Sequence, residues 1–171
     1  MPATVRGGVE LRKALRNFAP DLGKETQKEI ANALKPIVKE ARGYVTGSPL
    51  SNWAREGGKF PRFDATVIKR GIGYKTTPSK PNRRGFRALA QIRNMSAAGA
   101  IYETAGRRPP GTKPKSRPNF AEAMGPLKGN GNDRGRLIYA AWEKDYGKAS
   151  KAVLQAIDNA AKKFNATVGK R

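Results

Sequence analysis

Glu103 is the only carboxylate between Asp64 and Glu122, in a stretch otherwise crowded with Arg and Lys. A lone acid in a cationic field can be a catalytic group, a charge anchor or part of a structural turn. The chain contains neither histidine nor cysteine, which excludes thiolate metal sites, Cys nucleophiles, disulfides and any mechanism needing imidazole as base or ligand. Chemistry is left to carboxylates, lysines and tyrosines, with only 13 Asp and Glu to draw on. Glu143 and Asp145 stand two apart in a helical pattern and so do not face each other. Glu103 has no acidic neighbour for a dyad, and beside several arginines it is expected to be an ionised salt-bridge partner rather than a tuned acid. The glycine-rich run GNGNDRG (residues 129–135) lacks the Lys-Ser/Thr of a phosphate loop, and no G-x-G-x-x-G follows a strand. No catalytic, cofactor-binding or metal-binding residue is nominated, and the chain is not expected to be an enzyme.

Charge says more. The net charge is +22 over 171 residues, and it is uneven. Residues 1–45 hold 9 basic and 5 acidic groups, residues 120–171 hold 10 and 5, and residues 46–119 hold 16 and 3. The ends read as ordinary mixed-charge helices, whereas the middle reads as built to face a polyanion; the alternatives are a basic loop face that is merely solvated, or one that meets an acidic protein. Candidate contact residues are Arg83, Arg84, Arg87 and Arg93, which a hairpin could bring near Arg107, Arg108, Lys113, Lys115 and Arg117. Such a cluster would grip phosphate backbone with little sequence readout and strong salt dependence. The tract carries no aromatic ladder, helix-turn-helix, zinc finger or RNA-recognition signature.

The elements that must position these residues follow from periodicity. GVELRKALRNF (residues 8–18) places Leu11, Leu15 and Phe18 at helical spacing. After Pro20 and Asp21, an amphipathic helix runs from Leu22 through Ile30, Ala33, Leu34, Ile37, Val38 and Ala41 to Gly43. Pro36 lies inside it and is expected to kink it or remove a hydrogen bond. Residues 46–64 read as a turn-rich loop pinned to the body by Trp53, Phe60 and Phe63. Two β-branched or alternating runs, residues 65–77 and 85–95, predict an antiparallel pair joined by a protruding cationic loop, PSKPNRRG. SAAGAIYETAG predicts a short helix or turn, and RRPPGTKPKSRPN an extended segment. After a turn at residues 130–133, a stripe through Ile138, Trp142, Tyr146, Ala149, Val153, Ile157, Ala160 and Phe164 predicts one helix of about 28 residues, with Gly147 inside it.

The expected fold is therefore α+β. An N-terminal amphipathic helix and a long C-terminal helix pack on a small antiparallel sheet, with extended basic loops. One domain is divided into residues 8–45 (helical), 46–64 (aromatic loop), 65–96 (β-hairpin with basic loop), 97–134 (turn and Pro/Arg-rich arm) and 135–166 (C-terminal helix). No run of about 18 apolar residues is present, so no membrane span is expected, and Met-Pro-Ala-Thr-Val-Arg lacks the apolar core of a secretory signal.

The order of these features resembles the tail-completion (neck, or head–tail connector) proteins of long-tailed bacteriophages. Leu34-Lys35-Pro36-Ile37-Val38-Lys39-Glu40-Ala41 is similar to that family's Ala-x-Pro-aliphatic-x-x-acidic-Ala helix. Tyr102, Glu103 and Gly106 are similar to its aromatic-x-acidic-x-Gly turn, with one extra residue, and Pro118, Asn119 and Phe120 match its Pro-Phe segment loosely. The resemblance spans roughly residues 8–164. It implies a structural virion protein without cofactors, assembled in the bacterial host cytoplasm. Its subunits would form a homo-oligomeric ring, six copies by the resemblance, between connector and tail-terminator or tail-tube proteins, near packaged DNA. In that setting Ile101 and Tyr102 face the core, Glu103 anchors surrounding arginines, and the segment after it is an arm that latches a neighbour. The alternative is a small nucleic-acid-binding protein without sequence specificity, nucleoid- or ribosome-associated, using the basic middle region. A nuclease would need clustered carboxylates, and between Asp64 and Glu122 there is only Glu103.

Overall fold

The structure, a computed structural model, describes residues 7–46, 53, 61–105, 107, 127–130, 133–145 and 147–168. Among them the chain forms an α+β fold of six helices and four short strands: α1 (Gly8–Phe18), α2 (Pro20–Gly43), α3 (Ala65–Gly71), β1 (Ile72–Lys75), β2 (Gln91–Asn94), α4 (Ala97–Thr104), β3 (Lys128–Asn130), β4 (Asp133–Gly135), α5 (Ile138–Asp145) and α6 (Lys148–Val168). β1 pairs with β2, and β3 pairs antiparallel with β4 in the register Lys128–Gly135, Gly129–Arg134, Asn130–Asp133.

The chain divides into two compact units, one of residues 1–36, 74–91 and 147–171, the other of residues 37–73 and 92–146. In the first, Leu15 of α1, Ile30 and Leu34 of α2, and Ala149, Ala156, Ile157 and Ala160 of α6 are buried. α1 packs against α6, and Lys163 of α6 pairs with Glu25 of α2 at 2.6 Å. The many alanines on α6 allow close approach but bury little area each, so its hydrophobic stabilisation rests mainly on Ile157 and its partners. In the second unit the core is Ile37, Val38, Ala41, Val45, Trp53, Ile68, Ile72, Ala98, Tyr102, Leu137, Ala140 and Ala141. α2 supplies both units with buried residues at i, i+3, i+4 and i+7 spacing, as its pattern predicts. It continues through Pro36, which is exposed together with Asn32, the residue whose carbonyl loses its helical partner.

Three expectations are corrected. Residues 65–71 are helical, not a strand. Asp64 caps this turn, its Oδ1 accepting the N–H groups of Thr66 at 2.7 Å and Val67 at 3.0 Å, and that local capping outweighs the β-branched composition. Only Ile72–Lys75 of the first run and Gln91–Asn94 of the second form strands. The predicted single C-terminal helix is two, because Gly147 takes φ +77°, a left-handed conformation that ends a helix and that glycine adopts without steric cost. Its carbonyl then accepts Lys151 N–H at 3.0 Å and starts α6. In consequence it is the short α5 that packs on β3 and β4, while the long α6 lies with α1.

Trp53 is pinned as expected. It is buried, its Nε1 donates to the Pro61 carbonyl at 2.7 Å, and its ring meets Phe63 edge-on at 5.4 Å. Phe60 lies outside the described residues.

Candidate functional site

α5 begins without a capping side chain of its own. The residues before it are Gly135, Arg136 and Leu137, none of which can accept a hydrogen bond from the orphan N–H groups of a first turn. Glu103, near the end of α4, does so instead. Its Oε2 accepts from Leu137 N at 2.9 Å and Ile138 N at 3.0 Å, and its Oε1 accepts from Tyr139 N at 3.0 Å. A buried carboxylate is thus held by three backbone donors at the positive end of a helix dipole.

The exchange is mutual. Arg136, also buried, donates Nη1 to the Ala105 carbonyl at 2.6 Å and to the Tyr102 carbonyl at 3.3 Å, satisfying acceptors at the C-terminal end of α4. Burial lowers the Arg136 pKa, opposed by Tyr102 and Glu103; the guanidinium remains charged at any physiological pH. Gly135 makes room for the exchange. A Cβ there would fall onto the Glu103 carboxylate and against the Tyr139 ring. Arg107 closes the site, with its guanidinium 4.9 Å from the Tyr139 ring centroid and its Nη2 donating to the Arg134 carbonyl. Tyr102 is buried as expected, 6.3 Å ring to ring from Phe63, with its hydroxyl 3.2 Å from Thr46 Oγ1.

The expectation that Glu103 binds arginine side chains is therefore refined. Its hydrogen bonds go to backbone amides, and Arg136 feels its charge while bonding to carbonyls. With both oxygens engaged, Glu103 is a fastener between α4 and α5. Gly106 lies outside the described residues.

The predicted basic candidates separate. Arg83, Arg84 and Arg87 are exposed together on the excursion between β1 and β2. Arg93 is exposed on β2 and belongs to the other unit. Arg107 is half-buried and engaged as described, which takes it out of a free contact surface. Arg108, Lys113, Lys115 and Arg117 lie outside the described residues, as does the expected arm. Sequence reasoning missed Gly135 and Arg136. The signal available was negative, a helix start with no Ser, Thr, Asp or Asn at its cap. The turn expected at residues 130–133 falls where β3 and β4 meet, Asn130 pairing with Asp133, but the strands themselves were missed, since Lys128–Asn130 and Asp133–Gly135 carry no alternating apolar residues.

Compared with protein-family models, curated proteins and solved structures, the chain matches none.

Proposed function

We propose that the chain is a structural subunit of a tailed bacteriophage's head–tail interface, a tail-completion (neck) protein. In this reading it acts as a homo-oligomeric ring, six copies by the resemblance, that joins the tail to the DNA-filled head between connector and tail-terminator or tail-tube proteins. It is a virion component assembled in the host cytoplasm. The observation that carries the reading is the engagement of Glu103. Glu103, the one carboxylate between Asp64 and Glu122, serves as a helix cap at the family-like Tyr102-Glu103 position, a role that fixes architecture. The element order, with helices first and last and short strands between them, also supports it. Among the described residues no helix is long and apolar enough to cross a membrane.

Light scattering on the purified chain in 0.5 M KCl, where charge-driven association is screened, tests the assembly. A ring subunit gives a discrete oligomer or binds its connector or tail partner at that salt. A strictly monomeric chain with no affinity for either partner would contradict the reading.

A further inference from the structure

Residues 76–90 leave β1 and return to β2 through a built turn. Ser79 N–H donates to the Ala88 carbonyl at 2.8 Å and Ser79 Oγ accepts Ala88 N–H at 2.9 Å. Nearer the tip, Asn82 N–H donates to Phe86 O and Gly85 N–H to Asn82 O, each at 2.9 Å. Asn82 Oδ1 accepts from Arg84 N at 2.9 Å and Phe86 N at 3.0 Å, and Gly85 supplies the φ of +78° that returns the chain. At the base, half-buried Arg12 of α1 donates Nη1 to the Leu89 carbonyl at 2.8 Å. The tip is therefore ordered before it meets a partner, which lowers the entropy cost of binding.

Every residue from Lys80 to Ala88 is exposed. Four of those nine are cations, Lys80, Arg83, Arg84 and Arg87, and among the described residues none of them forms an ion pair. Phe86 stands among them 59% exposed.

We infer that this hairpin tip is a contact for the backbone of double-stranded DNA, with Arg83, Arg84 and Arg87 on phosphates and Phe86 against the groove wall. Arginine guanidinium groups match phosphate oxygens in pairs. A single apolar side chain beside them suits groove entry, whereas single-strand binding uses a series of stacking aromatics that this tip lacks. The contact reads charge density rather than sequence. It does not depend on the head–tail reading, since a neck subunit beside packaged DNA and a free DNA binder could both use it.

Fluorescence anisotropy of a labelled 20-base-pair duplex of arbitrary sequence, titrated with the full chain between 50 and 300 mM KCl, tests it. Arg83→Ser with Arg84→Ser should lower the magnitude of the log K against log[salt] slope by about 2 and weaken binding by tens of fold at 100 mM KCl, on the order expected for two lost phosphate contacts. Phe86→Ala should weaken binding several-fold and leave the slope unchanged. Lys13→Ser with Lys28→Ser removes the same charge from exposed positions on α1 and α2 and should change the slope little. Equal losses from both double variants would overturn the inference in favour of a diffuse field. Unchanged binding by the tip variants would also overturn it, as would tighter binding to the single strand or to poly-glutamate than to the duplex. Retained circular dichroism and melting temperature in each variant keep the comparison valid.

Discussion

Glu103 shows how an acidic residue in a basic region can be read for its charge while its hydrogen-bond partners stay hidden: its charge acts on Arg136, but its oxygens accept from backbone amides. Sequence patterns identify it as an ionised structural group because it has no acidic neighbour and many cationic ones. They do not reveal that a helix 34 residues later starts uncapped, since that requires knowing which elements meet. Glu103→Ala leaves three backbone donors without their acceptor and should destabilise the fold by about 3 kcal/mol or more. Glu103→Gln keeps one acceptor but turns an NH2 toward N–H donors, and should cost roughly half as much. Urea unfolding monitored by circular dichroism checks the order; equal stability of all three proteins would refute the capping role. Gly135→Ala places a methyl group where the carboxylate sits and should destabilise by about 1–3 kcal/mol, read by the same melts.

Among the elements, the first two helices were legible to their ends, because their apolar residues recur at helical spacing and a proline starts the second. Ala65–Gly71 was not legible. Thr66, Val67 and Ile68 favour strand by composition, and the capping Asp64 decides otherwise only in the local backbone. Asp64→Ala should therefore destabilise by about 1 kcal/mol, and no loss in melting temperature would show the cap to be idle. The C-terminal stripe carries the apolar periodicity of α5 and α6 but hides the break between them, since periodicity runs across a break when the spacing stays at three or four. Gly147→Ala forces a Cβ into the left-handed region and should cost about 1–2 kcal/mol. A pH-dependent link ties α5 to α2. Lys144 Nζ meets Glu40 Oε1 at 2.5 Å, and Tyr44 donates to the same oxygen at 2.9 Å. The Lys144 and Tyr44 hydrogen bonds lower the Glu40 pKa, and Glu40 raises that of Lys144. A lowered carboxylate stabilises above its ordinary range, and that contribution is lost as pH falls through its folded value. The raised lysine loses its contribution as pH rises through its own. Lys144→Met should thus be less stable than the parent near neutral pH and converge with it in acid; a constant difference down to pH 2 would contradict the linkage.

For the whole molecule, the α+β class, the buried face of α2 and the basic protrusion were legible, whereas the division into two units and the second hairpin were not. The first depends on where α2 and the C-terminal helices pass between cores, and the second rests on strands of three residues. Net charge of +22 opposes close association of identical subunits at low salt, so a ring must be held by apolar and backbone contacts, or by a polyanion between its members. Replacing Arg108, Lys113 and Lys115 together should impair joining of heads to tails if that tract latches a neighbour; infectivity at the parental level would show those charges to be only solvated. The most direct test of the head–tail reading is electron microscopy of particles assembled without this protein. Filled heads beside separate, finished tails are the expected result, and intact virions of normal infectivity would contradict it.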